Sequence, residues 1–104
     1  MDIISDGPTL VLAGQFDVRS TMEVRNAVYD LLSSYEADVV IDLSEVDSID
    51  VTALKMLAVA TRQAVRDGHH LTLRGCSPAV RRMLLLSHLN RVVEVDRSGA
   101  ADVG

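Results

Sequence analysis

The stretch Val39-Val-Ile-Asp-Leu-Ser-Glu-Val-Asp-Ser-Ile-Asp-Val-Thr-Ala-Leu-Lys-Met-Leu57 decides the fold of this chain. Its opening run, Val39 to Leu43, is continuous and β-branched, which predicts a parallel strand covered on both faces. A short loop rich in Ser and acidic residues is expected next. A helix then begins, with Asp50 as its N-cap and Thr52 in its first turn. A hydroxyl and an anion-binding helix N-terminus therefore meet in this stretch.

Length and composition limit what the rest of the chain can be. The 104 residues are enough for one domain, residues 1–104, and no apolar run approaches the roughly 20 residues of a membrane span. The N-terminus lacks the basic flank of a signal peptide, and a single Cys fits the reducing cytoplasm. A net charge of −5 and few aromatic residues argue against nucleic acid as a partner.

The patterns around this stretch predict an α/β domain in the order β-β-α-β-α-β-α-β. A hairpin comes first, followed by helices alternating with strands. This order gives a two-layer domain whose mainly parallel sheet has one antiparallel edge strand. Ser20 and Glu23 have the spacing of a capping box at the first helix, and Ser77-Pro78 is a typical start for the third. The strands are expected at 2–4, 9–13, 39–43, 70–74 and 92–95, the helices at about 20–33, 51–66 and 77–90, and a frayed tail at 97–104.

Ligands of such sheets bind beyond the carboxyl ends of the strands, where 14–19, 44–52 and 75–77 collect. The chemistry of an enzyme is missing from these segments: there is no Gly-x-Ser-x-Gly elbow, no phosphate-cradling Gly-rich loop and no zinc-ligand spacing. We therefore expect no catalytic residues, no cofactor and no metal. Cys76 follows Gly75 in a loop that could leave it accessible, and without a resolving Cys in the chain a small loop residue is favoured over a redox switch. Asp42, inside an apolar strand, is expected to be hydrogen-bonded to neighbouring loop backbone.

Three segments in order resemble the STAS domains of small stand-alone anti-sigma-factor antagonists. Leu12-x-Gly14-x-Phe16-Asp17 before an amphipathic helix is similar to the first family motif. Val40-Ile-Asp-Leu-Ser44 with Val46 to Leu54 resembles the central one. Leu71-x-Leu-x-Gly75 with Ser77-Pro78-x-Val80-Arg81 resembles the last third. The resemblance covers almost the whole chain.

The resemblance implies a phosphorylation-regulated switch between partners. Such antagonists bind a kinase-type anti-sigma factor and so release a sigma factor, until the kinase phosphorylates a hydroxyl at the helix N-terminus; a phosphatase reverses this. Aligned on Asp50, that hydroxyl falls on Thr52. The family's Asp-Ser-Ser-Gly reads Asp50-Val51-Thr52-Ala53 here, so one hydroxyl and the Gly are replaced. The resemblance makes Asp17 and residues 50–53 the partner-binding set of a monomer or weak dimer.

Each of these residues also has a purely structural interpretation. Thr52 could be a first-turn hydroxyl satisfied by the backbone. Asp50 could act only as an N-cap, and Asp17 only as a turn or cap residue. Both interpretations remain open for each residue at the level of sequence.

The leading hypothesis is an anti-sigma-factor antagonist that is switched off by phosphorylation of Thr52. Two alternatives are a self-associating scaffold subunit of a stress-signalling assembly and a sensor that binds a small anion or nucleotide at the loop end of the sheet. Arg74, Arg81, Arg82 and Arg91 make the last third of the chain cationic. The apolar face from Met83 to Leu89 is wider than a surface helix needs, and any exposed part of it would mark a docking site.

Overall fold

A computed structural model describes residues 1–35 and 38–96. The expected frayed tail at 97–104 lies outside the described residues. Strands and helices alternate in the order predicted from the sequence, with one additional 3₁₀ turn. The elements are β1 Asp2–Asp6, β2 Thr9–Phe16, α1 Thr21–Ser34, β3 Val39–Ile49, α2 Val51–Arg66, β4 Leu71–Arg74, α3 Pro78–Ser87, the 3₁₀ turn Leu89–Arg91 and β5 Glu94–Asp96.

The strands form one sheet in the spatial order β1-β2-β3-β4-β5. β1 and β2 are antiparallel, with Asp6 opposite Thr9 across a turn in which Gly7 has a positive φ of 58°. Every other neighbouring pair is parallel. The predicted α/β domain with a mixed sheet and one antiparallel edge strand is therefore confirmed.

The prediction that β3 is covered on both faces is wrong. Val39, Ile41 and Leu43 are fully buried, but Val40 and Asp42, which point the opposite way, are partly exposed. Successive side chains of a strand lie on opposite faces of the sheet, so this alternation means that one face is buried and the other is open in part. The domain has two layers, and a two-layer domain does not cover the second face.

The loop predicted after Leu43 is also wrong, because β3 continues to Ile49. β2 continues in parallel with it to Phe16, which pairs with Ile49. Val46 and Ile49 are buried, and this burial holds the polar segment against the core. Register shifts between Val11 and Ala13 and between Gly14 and Gln15 adjust the pairing, and these irregularities break the simple alternation from which a strand is recognised in sequence.

Two of the three expected helix caps form. The Asp50 carboxylate accepts the Ala53 amide at 2.8 Å, and the Ser77 hydroxyl accepts the Val80 amide at 3.5 Å while donating to the Val46 carbonyl at 2.8 Å. The capping box at Ser20 is wrong. Ser20 is the N-cap residue, but its hydroxyl is turned back to the carbonyl of Asp17 at 3.2 Å.

A few burial expectations also fail. The three- and four-residue spacing of apolar residues predicts that Met22 of α1 and Val65 of α2 face the core, but both are exposed. Cys76 is buried rather than accessible, and burial raises the pKa of its thiol. α3 ends before Asn90, at Ser87, because His88 adopts a left-handed conformation with a φ of 61°.

Gly75 is the residue on which the junction after β4 depends. Its φ is +65°, and a Cβ added there would lie 3.0 Å from the Cβ of Ser44 and 3.4 Å from Oδ1 of Asp42. Both the backbone conformation and the space therefore require glycine. The close approach holds the β4–α3 connection against the middle of β3.

We expect Gly75→Ala to lower the free energy of unfolding by about 2–3 kcal/mol, because it adds a steric conflict to a strained φ. Gly68 is the matched control: its φ is +83°, but nothing lies within 4 Å of an added Cβ. Gly68→Ala should cost about 1 kcal/mol, from conformation alone. Urea unfolding of both variants checks this, and equal losses would show that the contact with Ser44 does not matter.

Candidate partner-binding site

Thr52 lies in the first turn of α2 and is exposed to solvent. In the described part of the chain, the side-chain hydrogen bonds of this turn are made by Asp50 and none by the Thr52 hydroxyl. The structural alternative, in which backbone satisfies this hydroxyl, is therefore not what the structure shows. The hydroxyl is available to a reagent or a partner.

Asp50 joins the start of α2 to the loop that follows β2. Its Oδ1 accepts the Ala53 amide at 2.8 Å, and its Oδ2 accepts the Val18 amide at 3.0 Å. Its own amide donates to the Phe16 carbonyl at 3.1 Å. The sequence predicted the N-cap but not the bond to Val18, because no local signal links residues 32 positions apart.

Asp17 is occupied by contacts within its own loop. Its carboxylate accepts the Arg19 side chain at 3.0 Å and the Arg19 amide at 2.9 Å, and its carbonyl accepts the Thr21 hydroxyl at 2.9 Å. The Arg19 side chain and amide lower the pKa of this carboxyl. These bonds fulfil the interpretation of Asp17 as a turn and cap residue. A partner contact at Asp17 stays a prediction.

Exposed apolar side chains lie at the same end of the sheet as Thr52. Val18 is 63% exposed, Met22 is 64% exposed and Val51 is 42% exposed. They come from the β2–α1 loop, the first turn of α1 and the first turn of α2, which are adjacent at the carboxyl ends of the strands. We call Val18, Met22, Val51 and Thr52 the switch surface. Apolar groups of this size in one region are typical of a docking site.

Ala53, the remaining residue of the predicted partner-binding set, is fully buried. Its methyl group faces the core beneath α2. A partner at this turn would therefore touch the exposed Val51 and Thr52 and not the Ala53 side chain.

The charges near Thr52 have both signs. Asp47 is exposed on the last part of β3, and Asp50 lies between it and the helix. Lys55 is exposed one turn into α2 and is the only Lys in the sequence. The first turn of α2 contains no acidic residue, so the N-cap carboxylate of Asp50 is the acidic group that faces the positive end of the helix dipole.

A second polar network lies on the open face of the sheet, at Asp42. Its Oδ1 accepts the Ser44 amide at 2.9 Å and the Ser44 hydroxyl at 2.6 Å, and its Oδ2 pairs with Arg74 at 3.0 Å. The expected bond to neighbouring backbone is confirmed; the ion pair across to β4 was not foreseen. Burial raises the pKa of Asp42, but the bonds from Ser44 and Arg74 outweigh it, and the net shift is downward.

Neither a metal site nor a membrane span is found in the described residues. Across 1–35 and 38–96, no group of three or more His, Cys, Asp or Glu side chains is placed to hold a metal ion. None of the helices in these ranges has the length and apolar character needed to cross a bilayer.

The sequence matches a family model described as "Mlab, STAS domain" over residues 2–94. The chain therefore belongs to the STAS domain family. A STAS-domain containing protein of Pseudomonas aeruginosa (strain UCBPP-PA14) is 28% identical over 87 residues, which cover 84% of this chain and 85% of that protein.

Solved structures share the fold at lower identity. A protein of Thermotoga maritima superimposes with a TM-score of 0.75 at 21% identity, covering 96% of this chain and 89% of the other. An anti-sigma factor antagonist from Mycobacterium paratuberculosis gives 0.72 at 21% identity, covering 89% and 80%. The anti-sigma factor antagonist SpoIIAA in its unphosphorylated form gives 0.70 at 15% identity, covering 96% and 90%. At these identities the likeness shows the fold alone.

We expect Asp50→Ala to lower the free energy of unfolding by about 1–2 kcal/mol, because it removes the cap and the bond to Val18. Asp47→Ala is the matched control, since Asp47 is an exposed neighbour with no side-chain hydrogen bond in the described residues, and should stay within about 0.5 kcal/mol of wild type. Chemical denaturation checks both. Equal stability of the two variants would mean that the Asp50 bridge, its pair of hydrogen bonds to the Ala53 and Val18 amides, contributes nothing to the free energy of unfolding.

The Asp42 network should make stability depend on pH. The pKa of Asp42 is lower in the folded chain than its ordinary value of 3.8, so its contribution is present above that value and is lost as the pH falls through the folded pKa. The difference in unfolding free energy between wild type and Asp42→Asn should therefore shrink on acidification below about pH 4. Urea unfolding over a pH series measures it, and a difference that is constant with pH would contradict the role of the carboxylate charge.

Proposed function

We propose that the chain is an anti-sigma-factor antagonist whose switch surface binds a kinase-type anti-sigma factor, so that a sigma factor is released. Phosphorylation of Thr52 ends this binding, and a phosphatase restores it. The observation that supports the proposal most directly is an exposed hydroxyl at a helix N-terminus, without a hydrogen bond of its own in the described residues. The protein acts in this scheme as a binding module and a phosphorylation substrate in the cytoplasm, not as an enzyme.

The switch surface suits a reversible protein contact. Val18, Met22 and Val51 offer apolar area, and the Asp50 bridge fixes the loop that carries Val18 relative to α2. Burying exposed apolar side chains contributes roughly 25 cal/mol per Å² of area removed from water. A partner with a complementary apolar patch would gain most of its affinity here, with Thr52 at the centre of the contact.

Phosphorylation would change this surface without unfolding the domain. The Thr52 oxygen attacks the γ-phosphorus of ATP, its proton passes to a base of the kinase, and ADP leaves. The product carries about −1.5 to −2 charges among the apolar side chains of the switch surface. The helix N-terminus stabilises this charge locally, while Asp47 and Asp50 repel it. Docking is lost because a hydrated dianion cannot enter an apolar contact without a large desolvation cost.

Relatives in the same fold support the phosphorylation step by analogy. SpoIIAA of Bacillus has been solved in its phosphorylated form as well, and that structure superimposes on this chain with a TM-score of 0.64. A Moorella thermoacetica RsbS with a Ser-to-Glu substitution superimposes with a TM-score of 0.62. At identities of 14% and 19% these likenesses support the fold and not the position of the site. The assignment of Thr52 as the acceptor therefore depends on the geometry of this chain.

Thr52→Glu should weaken binding to the cognate anti-sigma kinase by at least about tenfold, because a negative charge enters the apolar contact. Ser5→Glu is the charge-matched control: Ser5 is exposed on β1, at the opposite end of the sheet, and its substitution should leave affinity unchanged. Isothermal titration with the purified kinase measures both. Equal binding by wild type and Thr52→Glu would rule out the switch.

The modification itself is tested by incubating the chain with candidate anti-sigma kinases and ATP, followed by mass spectrometry. We expect one phosphate on Thr52 and none on Thr52→Ala. A phosphate that persists on Thr52→Ala would place the acceptor elsewhere, for example on the exposed Ser48, and would refute Thr52 as the switch residue.

A further inference from the structure

A second surface of the molecule has charge opposite to that of the whole chain. Residues 1–61 contain 11 acidic and three basic residues, whereas residues 62–95 contain six Arg and two acids, Asp67 and Glu94. Arg74 is paired with Asp42. Arg62, Arg66, Arg81, Arg82 and Arg91 are exposed, and none has a salt bridge to a carboxylate in the described part of the chain. A positive region therefore exists within an acidic protein.

The exposed face of α3 combines this charge with apolar side chains. Arg81, Arg82, Leu85 and Leu86 follow at the three- and four-residue spacing that places them on one side of the helix. Leu85 and Leu86 are each 66% exposed, the largest exposure among the large apolar side chains of the described residues. The core face of the same helix is satisfied by Val80 and Leu84, so the exposed pair is not needed to fold the domain.

A groove runs beside this helix face, between α3 and the edge strand β5. It encloses about 650 Å³, with Leu84, Leu85, Val93 and Val95 as its apolar lining and Arg81 at one side. Glu94, also at the groove, is paired with His70 at 3.0 Å. We call Arg81, Arg82, Leu85, Leu86 and this cavity the α3 groove. The cavity can accept an apolar side chain of a ligand, and the Arg residues at its rim can bind a negatively charged group of the same ligand.

The shape and charge of the α3 groove select among possible occupants. A symmetric dimer through this face would place Arg81 and Arg82 of both copies in one interface, and this accumulation of like charge is electrostatically unfavourable. A flat bilayer would reach the protruding Leu85 and Leu86 but not the lining of a groove. A segment of another protein with apolar side chains for the groove and carboxylates for the Arg residues satisfies both features.

We infer that the α3 groove is a second docking site, which binds an acidic amphipathic segment of a partner protein. This site is separate from the switch surface. Helices that connect parallel strands run antiparallel to the strands, so their first residues lie at the carboxyl ends of the strands and their last residues lie toward the other end. Thr52 lies at the start of α2, whereas Leu85 and Leu86 lie near the end of α3. The chain could then hold one partner constantly while it exchanges the other. This inference does not depend on the proposed phosphorylation.

The test is a selection of random peptides of roughly 16 residues, displayed on phage, against the full wild-type chain, followed by affinity measurements with the synthetic winners. We expect peptides that combine Asp or Glu with Leu, Ile or Phe. Arg82→Glu and Leu86→Ser should each weaken their binding by about tenfold or more. Affinity should also fall with added salt, since the contact is partly ionic.

Matched variants separate this site from the rest of the surface. Arg25→Glu reverses an exposed helical Arg on α1, and Met22→Ser removes an apolar side chain that is 64% exposed, close to the 66% of Leu86. Both controls, and Thr52→Glu, should leave peptide affinity within about twofold of wild type. Loss of binding in Thr52→Glu but not in Arg82→Glu would assign the peptides to the switch surface and refute the α3 groove.

Three further outcomes would overturn the inference. The first is a selection that yields no binders, or only peptides without acidic residues. The second is self-association in sedimentation experiments that Arg82→Glu abolishes, which would assign the face to a second copy of the chain. The third is co-sedimentation with vesicles of phosphatidylglycerol and phosphatidylcholine in equal parts that Arg82→Glu abolishes, which would assign it to an anionic membrane.

Discussion

The Asp50 carboxylate is the contact on which the arrangement of the candidate site depends. One oxygen caps α2 at Ala53, and the other holds the Val18 amide in the loop after β2. A helix that follows a strand directly has no connecting loop to fix its direction, and here Ile49 ends β3 and Val51 begins α2. The direction is fixed instead by one side chain that satisfies amides from two segments. The relative positions of Val18, Val51 and Thr52 are therefore set by the fold before any partner arrives.

This capping has a consequence for the chemistry at Thr52. The first amides of a helix have no partner within the helix, and Asp50 uses the third of them, at Ala53. The amides of Val51 and Thr52 precede it and point toward the exposed end of α2. A phosphate on Thr52 would meet unpaired amides and the helix dipole without displacing the cap. Modification can thus alter the surface and leave the bonds that hold the fold unchanged.

The sequence predicted the element order, the sheet type and the helix that carries Thr52, since these follow from periodicity and from capping residues at fixed offsets. The predictions from sequence were wrong where contacts between residues far apart in the chain determine the structure. The segment after Leu43 looks like a loop because its acids and Ser residues are polar, yet it pairs with β2 across an irregular register and remains a strand. The Val18–Asp50 and Arg74–Asp42 bonds each join residues 32 positions apart, beyond the reach of any local pattern. Ser20 lost its predicted role because the Asp17 carbonyl competes for its hydroxyl.

The uneven distribution of charge along the chain determines how strongly its two candidate surfaces can affect each other. Phosphorylation of Thr52 would add negative charge at the start of α2, in the half of the chain that is already acidic. Arg62 and Arg66 lie near the opposite end of that helix, whereas Arg81 and Arg82 lie in the first half of α3. With a Debye length near 8 Å at physiological salt, a new charge at Thr52 is largely screened at the far end of a 16-residue helix, which is roughly 24 Å long. Electrostatics alone therefore couples Thr52 only weakly to Arg62 and Arg66 at the end of α2. A domain of this size can in that way let one contact respond to a kinase while a second contact, of opposite charge, stays unchanged.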